Sequence, residues 1–528
     1  MKLITLNIEH KYLSAQYLKL FLFLIYSIIF LPHAFILNED ISLALAFEVD
    51  PGSLMHGIND LFNYPYYNMF NSYHFRHYGW AYGSINFFFL LPFKIIFFIF
   101  NVESAFLINF LIRFVFYLIG LFSIFCLFRV CKKILTEESI LISFVIVNLY
   151  IFGPFYRLFY FLHPETTGIL FTFLAIIYIL DYNKKSKIKF YYYSFVCLAL
   201  AILSKQAFFF SSFPLSILLF YLFFQKNFSL SLSNDFIGAK VREIIKIFYI
   251  CLGVLFIIHP YAFFFPLKFL ASQVGLSTSF ASGANVNFLN SMLAWINLFK
   301  SSYYFLIPFT LSLINFFIIF FIRKEYIFEK VFNLILILSV ILTIIFFAIA
   351  NKLNIDFNYF QVIIPIAFIQ LLLFLKIIFQ FNFATQMKFR KLFTVILLIF
   401  IITNINPTIE NSQKRLSYKE SAPYKTYEYI NLHLNISDKI ANDHHVAIPS
   451  ALESIQCHYW RGCNSYEKIV SFNPNYVAFA DPLPVWGWSD NPEGKALKKY
   501  VEDKKMKLIK KIGNKNSDSY ILIYKSVN

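Results

Sequence analysis

Four carboxylates follow the first long apolar stretch of the chain: Glu39, Asp40, Glu48 and Asp50, in "FILNEDISLALAFEVDPG", residues 35–52. Asp40 falls about three residues past the apolar run, at the depth where a membrane span ends and lipid head groups begin. A carboxylate there can take a proton from a hydroxyl presented at the membrane surface. Glu39 and Asp40 in isolation could equally do no more than end the run. The same loop continues with "PYYNMFNSYHFRHYGWAYG", residues 65–83. Its His74, His77 and Tyr78 suit a sugar face or hydroxyl, and such aromatic side chains suit a membrane interface as well.

Two further segments carry ionisable groups at span ends. In "LHPETTG", His163 and Glu165 stand where the chain turns back into an apolar run, with Pro164 fit for a first helical turn. The pair either serves a ligand or caps the next helix, whose dipole favours Glu165. In "LAILSKQ", Lys205 interrupts two apolar runs. An ammonium there either holds an anionic group such as a lipid phosphate or snorkels to the interface.

The elements that must position these residues are membrane spans. The chain has 528 residues, 59% of them hydrophobic and only 14% charged, with 71 Phe and 15 Gly. That is too little charge to cover a soluble protein of this size. Apolar runs of span length recur near residues 17–37, 105–128, 138–155, 168–182, 191–204, 207–224, 247–265, 302–322, 331–350, 359–379 and 391–407. This predicts an α-helical polytopic membrane protein of about eleven spans. The first run lacks a cleavage-site pattern and reads as an uncleaved span.

Orientation follows from charge. The net charge is +17, but Lys and Arg come in small packets between alternate runs rather than as a nucleic-acid-binding stripe. The packets at Lys2–Lys11, Arg129–Lys133, Lys184–Lys189, Lys226–Lys246, Arg323–Lys330 and Lys388–Lys391 all fall on one side. The positive-inside rule makes that side cytoplasmic, so the N-terminus is inside and the C-terminus outside. The apolar stretch 85–101, "INFFFLLPFKIIFFIFN", would reverse every later loop if it crossed. It therefore reads as a helix lying at the outer interface with Lys94 snorkelling.

Two domains result. Residues 1–407 form the transmembrane domain, with 38–104 as its first outer loop. From 408 to 528 the chain turns polar and alternates strand-like pieces ("DKIANDHHVAIP", "NYVAFADP", "YILIYK") with helix-like ones ("KTYEYINLHL", "GKALKKYVEDKK"). That pattern predicts a small extracytoplasmic α/β domain. Cys457 and Cys463, in "QCHYWRGCN", could form a disulfide in an oxidising compartment or remain thiols. Cys126, Cys131, Cys197 and Cys251 lie in or beside spans, as apolar fillers.

The order of these features resembles the GT-C superfamily of lipid-dependent membrane glycosyltransferases, in the branch of protein O-mannosyltransferases and lipid A aminoarabinose transferases. That family opens its first outer loop with an acidic pair, which "NED" matches with its acids in reverse order. The stretch 82–114 resembles the family's juxtamembrane helix leading into a span with an Arg. "YFLHPETTG" resembles its second outer loop, "LAILSKQ" its lysine segment, and "NYFQVIIPIAFIQLLLFL" its late span, without that span's Arg. The resemblance covers roughly residues 15–405.

It implies a GT-C fold and transfer of a sugar from a polyprenyl-phosphate carrier to a glycan, lipid or protein acceptor on the outer face; nucleic acid is already set aside by the packets of Lys and Arg. Asp40, with Glu39 beside it, would be the base. Lys205, with Arg157 or Lys268, would meet the departing phosphate. Glu165 and His163 would orient sugar or acceptor, or hold a divalent cation. The compositional bias toward Phe, Ile, Lys and Asn points to a bacterial inner membrane, with the site on the periplasmic side. The rival readings are a secondary transporter and a structural or sensory membrane protein. A transporter would place ionisable groups near the bilayer midplane and show repeated halves; here charges cluster at span ends and no repeat stands out.

Overall fold

The computed structural model describes residues 2–47, 54–55, 57–58, 80–101, 104–135, 140–227, 234–268, 287–322, 327–350, 357–378, 383–443, 445–458, 461–462, 465–482, 492–513 and 520–527. His74, His77, Tyr78 and Cys463 lie outside the described residues. The chain packs into two compact units. One comprises Met1–Ile29, Asp60–Phe89 and Val115–Thr408; the other comprises Phe30–Asn59, Leu90–Phe114 and Ile409–Asn528. The second unit thus joins the tail from Ile409 onward with two segments from the first part of the chain.

The first unit is helical, as the apolar runs require. Among the described residues, 9 helices are long and apolar enough to cross a membrane. Eight of them coincide with predicted spans. Two further predicted spans appear as the shorter helices Ile140–Phe152 and Ile188–Ser204, and another falls on the helix Asn234–Ile258. The remaining helix of span length is Trp80–Phe100, the one read above as interfacial. Length and apolarity alone give it the same standing as the others.

In lipid, helices gain nothing from hiding apolar surface, so they must associate through side-chain packing. The abundant aromatics supply it. Tyr150 stands edge-on to Phe159, Phe173 and Phe368, with ring centroids 5.0, 6.0 and 5.5 Å away. Such pairs contribute about 0.5–1.5 kcal/mol each beyond area burial. The antiparallel pair Glu165–Lys185 and Ile188–Ser204 turns at Ser186, which adopts φ 54 and donates its amide to the Tyr182 carbonyl. At that end, buried Asp181 collects Lys133 at 2.7 Å and Lys185 at 3.1 Å. Lys226 Nζ donates to the Tyr182 carbonyl at 2.8 Å. Three of the basic packets therefore meet at one end of these helices, as the alternation requires.

The tail is an α/β fold. Its six-stranded sheet has the order β3-β2-β1-β4-β6-β5. The strands are β1 (Lys439–Asp443), β2 (Glu453–His458), β3 (Arg461–Gly462), β4 (Tyr476–Asp481), β5 (Lys507–Gly513) and β6 (Tyr520–Lys525). β1 runs parallel to β2 and β4, while β6 is antiparallel to β4 and β5. The two-residue period of a strand sends alternate side chains to opposite faces. Ile440, Tyr476, Ala478, Ile521 and Ile523 pack with Ile430 of the helix Ala422–His433. Ala441, Val477, Phe479 and Leu522 pack with Ile469, Leu497 and Tyr500, from the helices Tyr466–Phe472 and Pro492–Asp503. Both faces are covered, which makes a three-layer domain.

Candidate functional site

The first outer loop begins with a backbone turn. Leu37 takes a left-handed conformation at φ 57, which for a leucine costs on the order of 1–3 kcal/mol. Asn38 steadies the turn by donating to the Ala34 carbonyl at 2.7 Å, and its own carbonyl accepts from Asn109 Nδ2 at 3.2 Å. The chain then leaves the helix direction and presents Glu39 and Asp40.

Asp40 is only 7% exposed. Its Oδ1 accepts from the Ser42 amide at 2.9 Å, capping the short helix Ile41–Phe47. Its Oδ2 accepts from the Ser450 amide at 2.9 Å and faces the Tyr427 hydroxyl at 3.4 Å. Glu39 Oε1 accepts from the Tyr418 hydroxyl at 2.6 Å, with Lys419 Nζ 4.0 Å away. Burial, with the carboxylates of Asp40 and Glu39 nearby, pushes the Tyr427 phenol up to about 12. Tyr418 is raised as well, by burial and by Glu39. Both phenols therefore keep their protons at neutral pH and act as donors. A carboxylate offers about four acceptor positions; among the described residues, the Ser42, Ser450 and Tyr427 donors take three.

The second group lies in the first unit. Glu165 is 2% exposed and opens the helix Glu165–Lys185. Lys205 directly follows the helix Ile188–Ser204. The hairpin turn at Ser186 lies midway between them in sequence, so the antiparallel pair brings residues 165 and 205 to the same level. Lys205 Nζ donates to Glu165 Oε1, and His163 Nδ1 meets Glu165 Oε2. Burial and the Lys205 ammonium hold the His163 imidazole well below its usual range. Lys205 Nζ also sits 5.3 Å from the Tyr359 ring centre.

Close packing sets this geometry. Gly168, one turn into its helix, lies against the Phe208 ring, and a Cβ at that position would run into it. Thr166 Oγ1 donates to the Leu158 carbonyl at 2.8 Å, tying the helix start to the preceding turn. Arg157 is exposed in that turn, Tyr156–Phe159. Lys268 is exposed, its Nζ 5.4 Å from the Phe265 ring centre. Among the described residues, no group of three or more His, Cys, Asp and Glu converges as a metal site. In the tail, Cys457 is buried and disulfide-bonded, while Cys126, Cys131, Cys197 and Cys251 are free.

Residues 92–261 match the family model of the dolichyl-phosphate-mannose-protein mannosyltransferases. The segment contains Arg113, Arg157, His163, Glu165 and Lys205, and it begins after Asp40. The match supports a membrane glycosyltransferase of the mannosyltransferase kind, and the span-rich helical architecture agrees with the polytopic GT-C fold of that family. No curated protein matches the chain at a significant level.

Sequence reasoning singled out Asp40, Glu39, His163, Glu165 and Lys205, but not the partners that hold the first two. Tyr418, Tyr427 and Ser450 come from the tail, and Ser450 is 410 residues from Asp40. The only local signal was the tyrosine-rich run "YKESAPYKTYEY" just after the last span.

Proposed function

We propose that the protein transfers a sugar from a polyprenyl-phosphate-linked donor to an acceptor hydroxyl on the outer face of the membrane. The observation that carries this reading is Asp40: a buried carboxylate, held by donors, at the end of the first apolar helix. Asp40 takes the acceptor's proton as the hydroxyl oxygen attacks the anomeric carbon. The bond from that carbon to the phosphate oxygen breaks, and the lipid phosphate leaves with the electron pair. A single displacement of this kind inverts the anomeric centre. Lys205 neutralises the leaving phosphate by exchanging part of its contact with Glu165 for the new anion. Arg157 and Lys268 add positive charge toward the same phosphate. Glu165 and His163 then orient sugar or acceptor.

Membrane parity supports the outward orientation. The Asp40 contact to Ser450 fits a first loop and a tail that lie on one side of the bilayer. An even number of crossings must separate them. Ten predicted spans follow Asp40 in sequence when Trp80–Phe100 lies at the interface, and counting that helix as a crossing would put the tail on the wrong side. A disulfide pairing Cys457 with Cys463 fits an oxidising outer compartment.

The test is transfer from radiolabelled polyprenyl-phosphate hexoses by purified protein in nanodiscs, with native membrane extract as acceptor source. A general base contributes about 10²–10⁴-fold, so Asp40→Asn should lose at least about a hundredfold in rate. Full activity in that variant would sink the proposed role.

A further inference from the structure

The tail contributes the Ser450 amide and the Tyr427 hydroxyl to the acid group of a loop that precedes it by nearly the whole chain. Neither Tyr427 nor Ser450 belongs to the two apolar clusters on the faces of the tail's sheet. Neither is needed to cap the helix Ile41–Phe47, which Asp40 does through Oδ1 and the Ser42 amide. What they fix is the remaining oxygen, Oδ2, and with it the direction in which the carboxylate faces a substrate.

We propose that the tail domain is a working part of the catalytic centre, in which the loop after β1, through the Ser450 amide, and the helix Ala422–His433, through the Tyr427 hydroxyl, position Asp40 for proton transfer. This rests on the reading of Asp40 as the base. Three details support it. The Ser450 amide lies in the segment that follows the carboxyl end of β1, the central parallel strand of the sheet, where α/β folds commonly place ligand-binding loops. That loop is itself pinned: buried Asp443 accepts from the His445 amide at 2.8 Å and from the Ala480 amide of β4 at 2.8 Å, and Asn442 Nδ2 donates to the Val446 carbonyl at 3.0 Å. Glu39 is held in the same manner by Tyr418, so both acids of the pair are fastened by residues beyond the last span. A precisely placed base gains rate from orientation alone, because misplacement by an ångström is enough to slow transfer. Tyr427 and Ser450 act through Asp40 and are positioning residues.

Two measurements test this. The first needs no substrate: hydrogen–deuterium exchange of peptides covering Ser450 in wild type and Asp40→Ala, both in nanodiscs. Removing the acceptor should speed exchange at that amide by about tenfold, while peptides covering β4 stay protected. Unchanged exchange at Ser450 would overturn the proposal. Should Asp40→Ala loosen the whole tail, the second measurement decides. Tyr427→Phe keeps the ring and removes only the hydroxyl; with any polyprenyl-phosphate hexose that wild type turns over, kcat should fall by about 3–10-fold with KM for the donor unchanged. In an Asp40→Asn background the same substitution should cost nothing further, since its effect passes through the carboxylate. A wild-type rate in Tyr427→Phe, or an equal proportional loss in both backgrounds, would contradict a positioning role. Full activity in Asp40→Asn would instead overturn the base assignment, whatever the exchange data show.

Discussion

Lys205 brings a positive charge to a place where Glu165 already balances it. The pair is costly to break at the lysine, because Glu165 would be left as a buried, uncompensated charge; removing one member of a buried pair costs about 3–5 kcal/mol. It is also responsive, because an incoming phosphate can take over part of the ammonium's hydrogen bonding. His163 Nδ1 lies against the other oxygen of Glu165. The proposed phosphate role predicts that Lys205→Met lowers transfer by on the order of a hundredfold, and that Lys205→Arg, which keeps the charge, recovers part of it. Initial rates with a polyprenyl-phosphate hexose, compared at equal amounts of folded protein, check this. Equal rates for Lys205→Met and wild type would leave Lys205 as a structural partner of Glu165.

The element that matters most for this second group is the hairpin of Glu165–Lys185 and Ile188–Ser204. Its turn at Ser186 sets 165 and 205 side by side, and the contact of Gly168 with Phe208 keeps the next helix close. A methyl group at 168 must push Phe208 away or bend the helix start. Gly168→Ala should therefore destabilise the protein by about 1–3 kcal/mol, and lower transfer as well, since Phe208 follows Lys205 by less than one turn. A thermal melt in detergent reads the first effect; an unchanged midpoint would mean the ring moves freely. Much of this level was legible in the sequence. Apolar runs gave the spans because lipid imposes their length, and alternation gave β1, β4 and β6. β5 was missed because its sequence, "KLIKKIG", carries three lysines on an edge strand, where charge discourages further pairing and hides the apolar pattern. β2, "ESIQCH", has too few large apolar residues to announce itself. The acids were legible because charge directly after a span is conspicuous. Tyr427 and Ser450 were not, because contacts across 387 and 410 residues leave no local trace.

At the scale of the molecule, the proposed orientation rests on the basic packets. Three basic packets gather around Asp181 and Tyr182 at one end of their helices, the end that the proposed orientation makes cytoplasmic. The proposed orientation predicts that protease added to sealed, right-side-out membrane vesicles digests the tail beyond the last span and spares an epitope placed at the Lys184–Lys189 turn. Protection of the tail would reverse the orientation. In the proposed orientation, with a cytoplasmic N-terminus and an outward tail, Asp40 would meet a lipid-linked donor from outside. The most direct test of that claim is the rate of sugar transfer from polyprenyl-phosphate hexoses by wild type and Asp40→Asn in nanodiscs. The account predicts donor-dependent transfer by wild type and a loss of at least about a hundredfold in the variant; equal rates in the two proteins would contradict it.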